Sequence, residues 1–127
     1  MAASIAAMAK ILFVDDDDAV RTITARALER AGHVLELAAD GEAGLASIVA
    51  SGGAFDLVVS DIRMPEMDGI AMAKAAASRY PGLKIMLITG YADQRERAED
   101  LAGAVVDVVQ KPFTLAEIKE RIGRALG

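Results

Sequence analysis

The stretch Lys10-Ile11-Leu12-Phe13-Val14-Asp15-Asp16-Asp17-Asp18 sets a short, unbroken apolar run directly against four carboxylates. A run of this kind reads as a strand covered on both faces, because a strand with one wet face alternates apolar and polar residues. Four further β-like runs lie at residues 34–38, 55–60, 84–88 and 105–109, with helical patterns between them. Strands alternating with helices predict a parallel sheet built from βαβ units. In the first helical pattern Val20, Ile23, Thr24, Ala27, Leu28 and Ala31 recur at helical spacing and predict one buried face. Asp17 or Asp18 can cap this helix and Gly32 can end it. The last helix carries a stripe of Leu115, Ile118, Ile122, Ala125 and Leu126 behind Thr114 as N-cap, and Pro81-Gly82 and Gly52-Gly53 mark turns. Residues 93–102 form the most polar of the helical patterns, with Arg95, Glu96, Arg97 and Glu99.

Composition narrows the chemistry. The chain has 127 residues, the size of one domain with one sizeable core. It has no cysteine and a single histidine, His33, which removes disulfides, thiolate metal sites and histidine clusters. A metal must then sit on oxygen ligands, which favours hard cations such as Mg²⁺ or Ca²⁺. The net charge is −5 and no block of Lys and Arg stands out, which argues against direct nucleic-acid binding. No apolar run reaches the roughly 18 residues of a membrane span. Residues 1–9 lack a basic start and read as a flexible extension, not a signal peptide, ahead of one domain over residues 10–127. The expected compartment is the cytoplasm.

Asp15 and Asp16 follow the first strand, Asp61 the third, Thr89 the fourth and Lys111 the fifth. In open parallel sheets ligands bind beyond the C-terminal ends of the strands, so these residues should converge on one edge. Three packed carboxylates repel one another, and a divalent cation relieves that repulsion. Such a site suits phosphoryl transfer, in which a carboxylate acts as nucleophile and the rest is positioning and charge neutralisation. Lys111 and the Thr89 hydroxyl would each bind a phosphoryl oxygen, and Gly90 leaves room for the group to enter.

The stretches Val14-Asp15-Asp16, Ser60-Asp61-Ile62-Arg63-Met64-Pro65-Glu66-Met67-Asp68-Gly69, Ile88-Thr89-Gly90 and Lys111-Pro112-Phe113 closely resemble the receiver domains of two-component response regulators. The resemblance spans residues 10–126, and the four motifs in this order are specific together. It implies a flavodoxin-like α/β fold with five parallel strands in order 2-1-3-4-5. It implies Asp61 as phosphoacceptor, with a sensor histidine kinase or histidine phosphotransfer protein as donor. Asp16, Asp61 and the Arg63 carbonyl are the implied direct Mg²⁺ ligands, with Asp15 acting through water, and the Lys111-Pro112 bond is expected to be cis. A switch that signals through protein contacts, and not an enzyme, follows from the resemblance. The expected output surface comprises residues 93–102, 105–109 and 114–126. The Thr89-Gly90-Tyr91 run resembles a subset of stand-alone receivers from α-proteobacteria, some of which act as protease adaptors or phosphate relays. A protease or relay component is thus the kind of downstream partner implied. Many receivers carry a mobile Tyr or Phe where this chain has Val108, whose short branched side chain cannot make that movement. Tyr91 could take over part of that role. Arg63 and Tyr91 flank the acceptor at positions that influence dephosphorylation across the family.

Plainer readings exist for each residue. The run Asp15 to Asp18 can be a solvated loop and cap, Asp68-Gly69 a turn and helix start, and His33 a half-buried residue at a helix–strand junction. Asp16-Asp17-Asp18-Ala19-Val20 also fits the D-x-D-x-[TV] signature of haloacid-dehalogenase-type phosphatases, which gives a rival enzyme reading. A second rival is an interaction module that keeps the fold without phosphate control.

Overall fold

The structure is a computed structural model that describes residues 9–90, 97, 101 and 103–127. Its elements are β1 (Lys10–Val14), α1 (Asp18–Arg30), β2 (Val34–Ala38), α2 (Gly41–Ala50), β3 (Leu57–Asp61), α3 (Gly69–Arg79), β4 (Ile85–Thr89), β5 (Val105–Gln110) and α4 (Leu115–Leu126). The five strands form one sheet in the order β2-β1-β3-β4-β5, and every neighbouring pair is parallel. This is the order that the sequence resemblance implies.

Every residue of β3 and β4 is buried, which explains their continuous apolar reading. Successive side chains point to opposite faces and build two cores. On one face Leu12, Val14, Val58 and Leu87 pack with Ile48 of α2 and Met72, Ala73 and Ala76 of α3. On the other, Ile11, Phe13, Val59, Met86 and Ile88 pack with Leu28 of α1 and Ile118 and Ile122 of α4. The sheet is held between them, and the candidate residues emerge at its C-terminal edge.

Three strands differ from the sequence expectation, the fifth by running one residue further, to Gln110. The third strand runs from Leu57 to Asp61 instead of over 55–60, and the fourth from Ile85 to Thr89 instead of over 84–88. Asp61 and Thr89 are therefore the last residues of their strands, in register with Ile88 and Gln110. The two outer strands are less covered. In β2, Val34 and Leu37 are exposed, and in β5 a register shift opposite Ile85 and Met86 leaves Val106 exposed.

The helix ends follow from their side chains. Asp17 caps α1, Asp40 caps α2 and Asp68 caps α3. Thr114 caps α4 in a capping box with Glu117. Gly32 follows α1 at φ 101°, a conformation open to glycine. One expectation for α1 is corrected. Thr24, Ala27 and Leu28 are buried, but Ile23 is 56% exposed while Ala25 is buried. The helix is turned so that Ala25, whose small side chain fits close packing, faces inward. His33 is half-buried, and its Nδ1 accepts the Ala9 N–H at 3.4 Å. Burial lowers its pKa. Residues 1–8, Tyr91 and all of the 93–102 segment except Arg97 and Leu101 lie outside the described residues. Among the described residues, no helix is long and apolar enough to cross a membrane.

Candidate functional site

The site begins where β1 ends. Asp15 extends the ladder by donating its N–H to the Ala38 carbonyl at 3.1 Å. Its Oδ1 then accepts the Asp17 N–H at 2.9 Å, a local turn that starts α1. The Asp17 carboxylate in turn accepts the N–H groups of Ala19 and Val20 at 2.9 and 3.1 Å. The four aspartates of the opening stretch are thus divided among separate tasks. Asp15 is fully buried, Asp16 sits exposed at the rim, Asp17 caps the helix and Asp18 faces solvent.

Asp61 arrives from the end of β3 and is only 6% exposed. Lys111, just past β5, donates its Nζ proton to Asp61 Oδ2 at 2.8 Å. The Lys111-Pro112 peptide is cis, as expected, and the Lys111 N–H bonds the Thr89 carbonyl at 2.7 Å. Thr89 is buried at the end of β4. Gly69 explains why the Asp68-Gly69 pair sits where it does. Its N–H bonds the Ile62 carbonyl at 2.8 Å, and a Cβ at this position would come within 2.3 Å of the Asp61 carbonyl oxygen. A side chain there would displace the strand end that carries Asp61.

One carboxylate oxygen from each of Asp15, Asp16 and Asp61 lies within 4.8 Å of the others. Burial raises the Asp15 pKa above the ordinary carboxylate value. The Asp17 N–H and Lys111 oppose this rise, while Asp61 and Asp16 add to it. Burial pulls the Lys111 pKa down, but the bond to Asp61 and the charges of Asp61, Asp15 and Asp16 outweigh it, so the ammonium is held charged. Asp15 Oδ2 is buried without a hydrogen-bond partner among the described residues. A buried, unsatisfied carboxylate oxygen is costly, and one lysine does not balance three acids. The donor set is all oxygen and fits a hard divalent cation, which Asp15, Asp16 and Asp61 could hold.

The acid cluster opens onto a groove of about 770 Å³. Asp61, Arg63, Gly90 and Lys111 line one part, and Val20, Ile23, Phe113 and Leu115 line another. Periodicity placed Ile23 and Leu115 in buried stripes. No sequence signal distinguishes an apolar residue that fills a core from one that lines an open groove. The five residues Asp15, Asp16, Asp61, Thr89 and Lys111 do meet at one edge of the sheet. Arg63 stands exposed beside them, and Val108 is buried in the core on the α2 and α3 side. Sequence reading passed over Arg21, whose Nη1 donates to the Asp15 carbonyl at 2.7 Å. A cation in the opening turns of a helix was the available signal.

Comparison with known proteins agrees with this geometry. The profile of the response regulator receiver domain family matches residues 11–123. The response regulator receiver protein CpdR of Brucella abortus is 35% identical over 119 residues, which cover 94% of this chain and 98% of CpdR. The sensor kinase CckA of the same organism is 34% identical over 125 residues, 98% of this chain but 13% of CckA. The chain likewise spans 25% of the response regulator protein FleR of Pseudomonas aeruginosa. Among solved structures, a CheY-like receiver domain protein from Methanospirillum hungatei superposes with a TM-score of 0.84 at 33% identity, over 94% of both chains. The response regulator TrrA of Thermotoga maritima, solved in complex with Mg(2+)-BeF, superposes with a TM-score of 0.83 at 30% identity, over 93% of this chain and 99% of that one. An acid cluster faced by a lysine at the C-terminal edge of this sheet, together with a family match over nearly the whole chain, means that the protein belongs to the response regulator receiver domain family of two-component signalling.

Proposed function

We propose that the chain is a phosphorylation-controlled switch in which Asp61 takes a phosphoryl group from a phosphohistidine. The observation that carries this reading is the meeting of Asp15, Asp16 and Asp61 within 4.8 Å, with the Lys111 ammonium on Asp61. An Asp61 carboxylate oxygen attacks phosphorus, the O–P bond forms, and the N–P bond to the donor imidazole breaks. Mg²⁺, when bound, neutralises the phosphoryl oxygens and the acidic residues. Asp16, Asp61 and the Arg63 carbonyl are the direct ligands in this reading, and Asp15 acts through water. Lys111 passes from the Asp61 carboxylate to a phosphoryl oxygen, and Thr89 supplies a hydroxyl to another. The Mg(2+)-BeF complex of TrrA supports this assignment by kinship.

The donor is a sensor histidine kinase or a histidine phosphotransfer protein, in keeping with the similarity to part of CckA. Output passes through protein contacts on residues 93–102, β5 and α4, with a protease or relay component as the class of partner, and the compartment is the cytoplasm. A nearly complete switch needs roughly 5.5 kcal/mol of preference for one state. Acetyl phosphate and Mg²⁺ should label the wild type and leave Asp61→Ala unlabelled; equal labelling of both would overturn the assignment.

The buried Val108, at the position where many receivers carry an aromatic, favours a second reading as an interaction module without phosphate control. Partner binding that is indifferent to beryllofluoride would support it. The phosphatase reading has less in its favour. Asp18, its acid–base candidate, carries a side chain 89% exposed and paired with Arg21.

A further inference from the structure

Arg21 breaks a local rule. It is the fourth residue of α1, in the part of the helix where the macrodipole disfavours a cation, while Asp18 and Arg30 obey the charge preference at the two ends. Its side chain is nevertheless only 16% exposed. The guanidinium folds back over the turn, where Nη1 donates to the Asp15 carbonyl at 2.7 Å and Nη2 bonds the Asp18 carboxylate. The Asp18 contact faces solvent, and exposed pairs of this kind contribute little. The bond to the carbonyl is charge-assisted and sits under the acid cluster.

That carbonyl belongs to the peptide joining Asp15 to Asp16. The peptide is planar, so fixing its oxygen fixes the direction in which the Asp16 Cα leaves. The Asp15 N–H and Oδ1 are already held by Ala38 and Asp17. For the Asp16 carboxylate, by contrast, no hydrogen bond is found among the described residues, and the residue is exposed. Its aim at Asp61 therefore depends on its backbone, and Arg21 is the side chain that holds the preceding carbonyl.

We propose that Arg21 is a positioning residue for the cation-binding half of the site: by clamping the Asp15 carbonyl it fixes the peptide from which Asp16 reaches the ion. The inference rests on the reading of Asp15, Asp16 and Asp61 as a divalent-cation site. Arginine suits the task because its planar guanidinium presents donors in a fixed geometry to the Asp15 carbonyl, whereas lysine offers one point charge.

The test measures Mn²⁺ binding directly by electron paramagnetic resonance, alongside the rate of labelling by acetyl phosphate as Mg²⁺ is varied. Wild type, Arg21→Met, Arg21→Lys and Asp18→Asn are compared. Loss of an outer partner of a metal site weakens affinity roughly 10-fold or more. Arg21→Met should raise the Mn²⁺ dissociation constant and the Mg²⁺ midpoint by about that factor, with the labelling rate at saturating Mg²⁺ within about twofold of wild type. Arg21→Lys should fall between the two, and Asp18→Asn should match wild type. Urea unfolding checks that each variant folds; if Arg21→Met does not, the lysine variant carries the comparison. Unchanged ion affinity in the folded Arg21 variants overturns the proposal, as does a loss confined to the saturated rate. Failure of the wild type itself to bind Mn²⁺ would instead overturn the underlying cation site.

Discussion

Replacing Asp15 by asparagine should stabilise the metal-free protein at neutral pH, although it removes a fully buried residue of the site. Asp15 Oδ1 already accepts the Asp17 N–H, a bond that an asparagine oxygen retains. Oδ2, buried and unpartnered, becomes an amide that donates toward the neighbouring carboxylates. At the 4.8 Å limit of the cluster, two like charges repel by about 3.5 kcal/mol at an effective dielectric constant near 20. Lys111 and the exposure of Asp16 offset part of this, so a net gain of about 1–3 kcal/mol is expected for Asp15→Asn without metal. For a domain of this size that corresponds to a rise in Tm of about 4–10 °C. The sign with pH is fixed by the direction of the shift. Burial raises the folded pKa of Asp15, so the native state keeps a proton that the unfolded chain has lost. Wild-type stability therefore falls as pH rises from the ordinary value of 3.8 through the raised one. The gap between variant and wild type should close near that lower value and widen toward neutrality. Thermal unfolding followed by circular dichroism, in EDTA and then with increasing Mg²⁺, measures both effects. Mg²⁺ should stabilise the wild type by mass action and the variant much less, so that the advantage shrinks or reverses. A variant less stable than wild type in EDTA at pH 7, or a gap that ignores pH, would refute this account of the charge balance.

Other perturbations separate the roles of neighbouring groups. Gly69→Ala forces a Cβ to 2.3 Å from the Asp61 carbonyl, so urea unfolding should show a loss of about 1–3 kcal/mol and acetyl phosphate labelling of Asp61 should slow. Glu66 adopts φ 68°, and Glu66→Gly should raise stability by about 0.5–1 kcal/mol, the left-handed strain relieved less the added freedom of the unfolded chain. Asp107 accepts Arg121 Nε at 2.6 Å and Nη2 at 2.5 Å, and the Arg121 hydrogen bond lowers its pKa. Its stabilisation is present above the unfolded pKa and lost as pH falls through the folded one, so Asp107→Asn should cost roughly 1 kcal/mol at pH 7 and flatten the acid limb of the unfolding profile. Arg63 flanks the groove beside Asp61, and Arg63→Asn should shorten the life of the phosphorylated form if its bulk hinders water; decay no faster than wild type would sink that idea.

The sequence made the buried sheet legible because β3 and β4 have no wet face to interrupt their apolar runs. It made the acid site legible because strand ends in a parallel sheet share one edge, so Asp15, Asp61, Thr89 and Lys111 had nowhere else to meet. It was less informative where one residue type serves two surroundings. Ile23 carries the period of a core residue and lines a groove, since periodicity records a helix face and not what that face meets. The division of labour within Asp15 to Asp18 was also hidden, because a capping carboxylate, a rim carboxylate and a buried one are the same residue in sequence. Only the turn that bonds Asp15 Oδ1 to the Asp17 N–H separates them.

The violations of local preference gather at the same edge. A carboxylate oxygen is buried unpaired, an arginine sits in the early turns of α1, and a glutamate takes a left-handed backbone in the loop after Asp61. Each is unfavourable alone, and none is explained by packing of the two cores. The buried acids leave the site short of positive charge, while Lys111 pairs with Asp61, Gly69 packs against the Asp61 carbonyl and Arg21 bonds the Asp15 carbonyl. On the proposed function, such a site would give a cation and a phosphoryl group a difference in free energy to act on, which is what a two-state switch requires. The apolar packing that offsets these costs lies in the two cores on either face of the sheet.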